Sequence, residues 1–117
     1  MPYMLLIVEP VGQREARGHE DGQAVYQRML AFTEEVRADG ALLATSSLAT
    51  ASVRLHKSEG TRATQVLDGP FAEAKEMIGG FFLLSCTTRQ EALAWAERCP
   101  AAEWASVEVR ETGPCYT

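Results

Sequence analysis

Residues 3–8 read YMLLIV, Tyr3 to Val8, an apolar run stopped by Pro10. Successive side chains of a strand point to opposite faces, so Met4, Leu6 and Val8 oppose Leu5 and Ile7. A second run, IGGFFLLSC (Ile78 to Cys86), repeats the pattern, with Phe81 and Leu83 opposing Phe82 and Leu84. Both read as strands buried on two faces, and the rest of the fold is placed around them.

Between them, VGQREARGHEDG is polar, holds three glycines and reads as a loop, with His19 exposed in it. From about Asp21 the apolar positions Val25, Met29, Phe32 and Val36 recur at helical spacing, flanked by Tyr26, Leu30 and Thr33, and Gly40 closes the helix. ALLATSSL (Ala41 to Leu48) is a strand. Val53 to His56 and Arg62 to Leu67 are two short strands joined by the turn-prone KSEG. After Cys86, Thr88 and Glu91 form a capping box. Ala92, Trp95, Ala96 and Cys99 make the inward stripe of a helix that Pro100 ends, and SVEVR (Ser106 to Arg110) alternates as a last strand. The order is β-α-β, hairpin, β-α-β. It predicts one α+β domain over 1–117, a ferredoxin-like βαββαβ-type subunit with an inserted hairpin.

Composition excludes several function classes. The 117 residues carry 16 acidic and 11 basic side chains, a net charge of -5, with no run of Lys or Arg, which argues against nucleic acid. No apolar stretch approaches the roughly 20 residues of a membrane span, and MPYMLLIVEP lacks the features of a secretory signal. A cytoplasmic location is expected. Cys86, Cys99 and Cys115 form no CxxC pair, so neither a disulfide framework nor a metal site is expected, and Cys86 and Cys99 read as core residues.

Both helices of this architecture cover one face of the sheet, and the other face should be polar if it meets water. Here both faces are apolar. Leaving about five such side chains wet forfeits about 1.5 to 3 kcal/mol each. A second copy related by a two-fold axis is the simplest cover and would leave a cleft between the sheets. The alternative is that the hairpin folds back over this face within one subunit.

VLDGPFAEAKEMIGGFFLL (Val66 to Leu84) is an elaborate link between strands. Asp68 can cap a turn, Gly69 can take φ > 0 and Pro70 stiffens the corner. Phe71 is expected to plug the core and Ala72 to Glu76 to make one helical turn. Gly79 and Gly80 permit a bulge or the close approach of another group. Turn geometry explains the glycines and the proline, and leaves Asp68, Glu73, Lys75 and Glu76 only partly explained.

With YMLLI upstream and EALAWAERCP and SVEVR downstream, this segment resembles the DGPF branch of the YCII-like family over nearly the whole chain. The resemblance implies a ferredoxin-like subunit pairing into a dimeric α+β barrel. Some members of the family are enzymes, including a muconolactone dehalogenase, and members of this branch are often associated with extracytoplasmic-function sigma factors. A His-Asp dyad has been proposed in the other branch. Its histidine corresponds here to Met29, so the dyad is not carried over intact, while Asp68 sits in a segment corresponding to its acid.

The expected function is that of a homodimer binding a small organic molecule in the inter-sheet cleft. Cofactor-free acid-base chemistry of lyase or isomerase type would use Asp68 or Glu73 as the base and Lys75 as the charge stabiliser. The alternatives are a non-catalytic sensor or partner linked to a sigma factor, and a dimerisation module without a ligand. No phosphate loop, haem motif or metal-ligand cluster is present, so no cofactor is expected. His56, at the end of a hairpin strand, reads as a surface residue.

Overall fold

The computed structural model describes residues 1–60, 63–69, 71 and 73–116. Arg62 of the expected hairpin strand, and Pro70 and Ala72 of the linking segment, lie outside the described residues. The elements are β1 (Tyr3–Pro10), α1 (Gln13–Arg17), α2 (His19–Ala38), β2 (Leu42–Ser47), β3 (Val53–Lys57), β4 (Thr64–Asp68), β5 (Glu76–Leu84), α3 (Arg89–Arg98), a 3-10 turn (Pro100–Glu103) and β6 (Ser106–Glu111). The main sheet has the order β2-β5-β1-β6 with every neighbouring pair antiparallel, while β3 and β4 form a separate two-stranded sheet. This is an α+β chain with the strand order of a ferredoxin-like subunit, and the hairpin is inserted between β2 and β5.

The two alternations of β1 separate as the sequence predicts. Leu5 and Ile7 join Phe82 and Leu84 beneath Phe32 and Val36 of α2 and Ala92, Trp95 and Ala96 of α3, forming the core. The Phe32 ring meets Phe82 edge-on at 5.3 Å and Trp95 at 6.1 Å. Cys86 and Cys99 are buried in the same cluster. Thr88 caps α3 by accepting the backbone N–H of Glu91 at 3.2 Å, and its hydroxyl donates to the Glu91 carboxylate. On the opposite face, Met4, Leu6, Val8, Phe81 and Leu83 are half-buried and Ile78 is exposed. The hairpin does not shield them: its strands pair only with each other, and Val53, Leu55, Val66 and Leu67 are all more than half exposed.

Four expectations are corrected. The loop over 11–22 contains α1 and the first turn of α2, because Gly12 and Gly18 take positive φ and break the polar stretch into helices rather than melting it. Gly69 is not at positive φ. It packs closely against residue 52, where an added Cβ would stand 2.8 Å from Ser52 Oγ and 3.2 Å from Ser52 O. Phe71 is only half-buried and packs under the Arg54 guanidinium, 3.7 Å from its ring centroid, instead of plugging the core. Of the turn expected over Ala72 to Glu76, Ala72 lies outside the described residues; among these Ala74 N–H bonds to Phe71 O, and Glu76 already belongs to β5.

Candidate functional site

The C-terminal end of α2 is packed on the sheet through the buried Phe32 and Val36, whereas Val25 and Met29, on the same stripe nearer its N-terminus, are only half-buried. Beneath them lies a cleft of about 730 Å³, with Ile7, Glu9 and Thr45 of the sheet on one side and Val25, Met29 and Thr33 of α2 on the other. It lies on the helix-covered side of the sheet, opposite the apolar face formed by Met4, Leu6 and Val8.

Glu9 continues the Leu5–Ile7 alternation and therefore points into the protein, where it is 6% exposed. Both carboxylate oxygens are held by one guanidinium: Arg14 Nη2 donates to Oε1 at 2.7 Å and Nε to Oε2 at 3.0 Å. This two-point pairing satisfies a buried acid that would otherwise be costly. Arg14 also donates to the carbonyls of Leu48 (2.7 Å) and Gly79 (3.1 Å), so it ties β1, the end of β2 and β5 together.

Two local features put Arg14 there. Gly12, at φ 88°, turns the chain back after β1 and starts α1. Gln13 then donates its side-chain N–H to the Trp104 carbonyl at 2.6 Å. Opposite Ile7 and Val8, β5 bulges: Ile7 pairs with Gly80 and Val8 with Ile78, leaving Gly79 as the extra residue. A Cβ on Gly79 would stand 1.6 Å from Glu9 Oε1. The glycine pair thus has the close-approach role expected of it, and the group approaching Gly79 is a carboxylate.

At the cleft wall the Arg17 and Arg28 guanidiniums lie 5.6 and 5.5 Å from the Trp104 ring centroid. Arg28 also grips Glu103 with both terminal nitrogens, Nη1 donating to Oε1 at 3.0 Å. That hydrogen bond holds the Glu103 carboxyl below its ordinary value and raises Arg28. Among the described residues Arg17 has no carboxylate partner, whereas the cleft acids Glu9 and Glu34 are paired with Arg14 and Arg37. Among the described residues, therefore, the cleft presents one cation with no acidic partner.

The residues expected from sequence fall elsewhere. Asp68 ends β4 opposite Val53 and is exposed. Glu73 and Lys75 are exposed on the segment leading to β5, where the Lys75 carbonyl accepts from Val11 N–H at 2.9 Å. None of the three lines the cleft. His19 and His56 are exposed. Met29, the position matching the other branch's histidine, does line it. Glu9, Arg14 and Arg17 were not singled out from sequence. The period-two continuation of Leu5 and Ile7 to Glu9, opposite a Gly-Gly pair, was the available signal.

Burial raises the Cys86 and Cys99 thiols above their ordinary value. Among the described residues no group of three or more His, Cys, Asp or Glu side chains is placed to hold a metal, and no helix is long and apolar enough to cross a membrane.

Two comparisons bear on this arrangement. An uncharacterized protein of Rhizobium meliloti (strain 1021) is 49% identical over 47 residues, covering 40% of this chain and 36% of that protein. The chain thus matches little more than a third of that relative's length. The YCII-related domain matches residues 1–114, so the chain belongs to the YCII-related domain family.

Proposed function

We propose that this protein is a cytoplasmic homodimer that binds a small organic anion in the cleft between α2 and the sheet and performs cofactor-free acid-base chemistry on it. The observation that carries the reading is Glu9, an acid buried at a cleft wall with both oxygens fixed by Arg14. A cleft of about 730 Å³ is in the range of small-molecule sites, which combine apolar walls with a few placed polar groups. Arg17 is the counter-ion for the ligand, Thr45 and Ser47 supply hydroxyls, and Glu9 is the proton-transfer group when Arg14 turns one of its two bonds to the ligand's anion and frees a carboxylate oxygen. The unpartnered apolar face of the sheet supports the dimer, since a second copy would cover it.

Asp68, Glu73 and Lys75 keep the roles of base and charge stabiliser in a version where a site forms between two subunits. Their support is that they follow one another from the end of β4 into β5, where the Lys75 carbonyl accepts from Val11 N–H just past β1. A non-catalytic sensor working with an extracytoplasmic-function sigma factor would use the same α2 cleft. Turnover of a bound acid separates catalysis from sensing.

The test is a thermal-shift comparison of benzoate with neutral benzamide on the wild type, Arg17→Gln, Glu9→Gln and Asp68→Asn. Stabilisation by benzoate alone, lost in Arg17→Gln and kept in Asp68→Asn, is expected. Equal responses to both compounds, or loss only in Asp68→Asn, would overturn the α2 cleft as the site.

A further inference from the structure

We propose that Gly22 sets the length of ligand that the α2 cleft accepts. The ligand passes over its bare backbone out of the cleft and into a second, shallower recess. The class this selects is a monocarboxylic acid whose apolar body ends in an uncharged hydrogen-bonding group such as an amide. The inference rests on the α2 cleft being the ligand site and adds the residue that chooses among ligands.

Gly22 lies inside α2, where glycine is less favourable than alanine. Nothing in the backbone calls for it, since its φ is not positive. Nor does packing, because an added Cβ would meet no atom within 4 Å. The glycines inside β5 are different. A Cβ at Gly79 would stand 1.6 Å from Glu9 Oε1, and one at Gly80 3.0 Å from Ser46 O.

What Gly22 adjoins is open space. It stands one turn before Val25, Met29 and Thr33, on the stripe of α2 that lines the cleft. A side chain there would project into the opening. On the other side of Gly22 is a recess of about 470 Å³, with Glu15, His19 and Gln23 in its lining. Arg14, Gly22 and Tyr26 line both spaces, so the glycine is the waist between them.

The two spaces differ in chemistry. The cleft offers the apolar Val25 and Met29 together with the Arg17 cation. The recess is polar, and its arginine is committed to Glu9 through two hydrogen bonds. Glu15 repels a second carboxylate there. An amide can instead donate to Glu15 and accept from Gln23. An acid anchored at Arg17 and longer than benzoate therefore gains contacts in the recess, provided residue 22 carries no side chain.

The test is calorimetric titration of the wild type, Gly22→Leu and Arg17→Gln with benzoate and with 4-acetamidobenzoate. The wild type is expected to bind the longer acid about tenfold more tightly, equivalent to about 1.4 kcal/mol. In Gly22→Leu that preference should fall to about twofold or less. Leucine favours a helix more than glycine does, so the variant should melt no lower than the wild type, which separates lost preference from lost folding. Amide shifts at His19 and Gln23 are expected with 4-acetamidobenzoate and not with benzoate. Equal affinity of the wild type for the two acids, or a preference that survives in Gly22→Leu, would overturn the role of Gly22 while leaving the cleft in place. Benzoate binding that is the same in Arg17→Gln as in the wild type would overturn both.

Discussion

Glu9 and Gly79 face each other across the β1–β5 bulge so closely that the carboxylate occupies the place a side chain at residue 79 would take. The clash on adding a methyl group is with the tips of Glu9 and Arg14 and not with backbone. What Gly79→Ala destroys is therefore the ion pair, not the sheet. Displacing a paired buried acid costs about 2 to 4 kcal/mol. In a Glu9→Ala background the obstacle is gone, so the same substitution should cost less than about 1 kcal/mol. Urea unfolding of the four proteins of this cycle measures the coupling, and additive effects would contradict the assigned role of Gly79.

The two partners of the pair should not be equivalent. Arg14→Met leaves Glu9 buried without its cation and is expected to cost about 3 kcal/mol or more. Glu9→Gln leaves Arg14 its bonds to Leu48 and Gly79 and access to solvent, and should cost about 1 to 2 kcal/mol. Adding Glu9→Gln to Arg14→Met should restore part of the lost stability in a denaturant titration. A double variant less stable than Arg14→Met alone would refute the pairing.

How far this site was legible in the sequence follows from Glu9 itself. The alternation of YMLLIV separated the two sheet faces without saying which of them meets the helices; the structure puts Leu5 and Ile7 there. The same alternation extends to Glu9, but an acid next to Pro10 reads as a strand end turning to water. Its cation lies in QREAR, a helix too short for periodicity to show, set between two glycines. Gly79 and Gly80 announced a close approach without saying of what. Conversely, Asp68, Glu73 and Lys75 stand out because they cluster in sequence. Clustering along a chain does not bring side chains together when the segment runs extended from an exposed hairpin to the start of β5. The course of α2 was legible, but the opening under its first turns was not, since the half-buried Val25 and Met29 belong to the same apolar stripe as the buried Phe32 and Val36.

Thiol chemistry should follow burial. Cys115 is exposed, whereas Cys86 and Cys99 are buried and held protonated above their ordinary range. Ellman's reagent at neutral pH is expected to modify one thiol rapidly and the other two only on addition of denaturant. Rapid reaction of all three in the native protein would contradict the packing of α3.

The Arg28–Glu103 pair predicts a small acid-side effect. Glu103 has a folded value below its unfolded one. Its contribution is therefore complete above the ordinary carboxylate range and is lost as pH falls through the lowered folded value. Carboxyl-carbon NMR titration should give a lower midpoint for Glu103 in the wild type than in Arg28→Gln. Equal midpoints would show that the pair does not persist in solution.

The measurement that bears most directly on the α2 cleft is an amide chemical-shift titration of the protein with benzoate. Saturable shifts concentrated at Thr45, Ser47, Gly79, Gly80 and the Trp104 indole, and abolished by Arg17→Gln, are predicted. Shifts confined to Asp68, Glu73 and Lys75, or scattered over the surface without saturation, would contradict a ligand site built on Glu9 and Arg14.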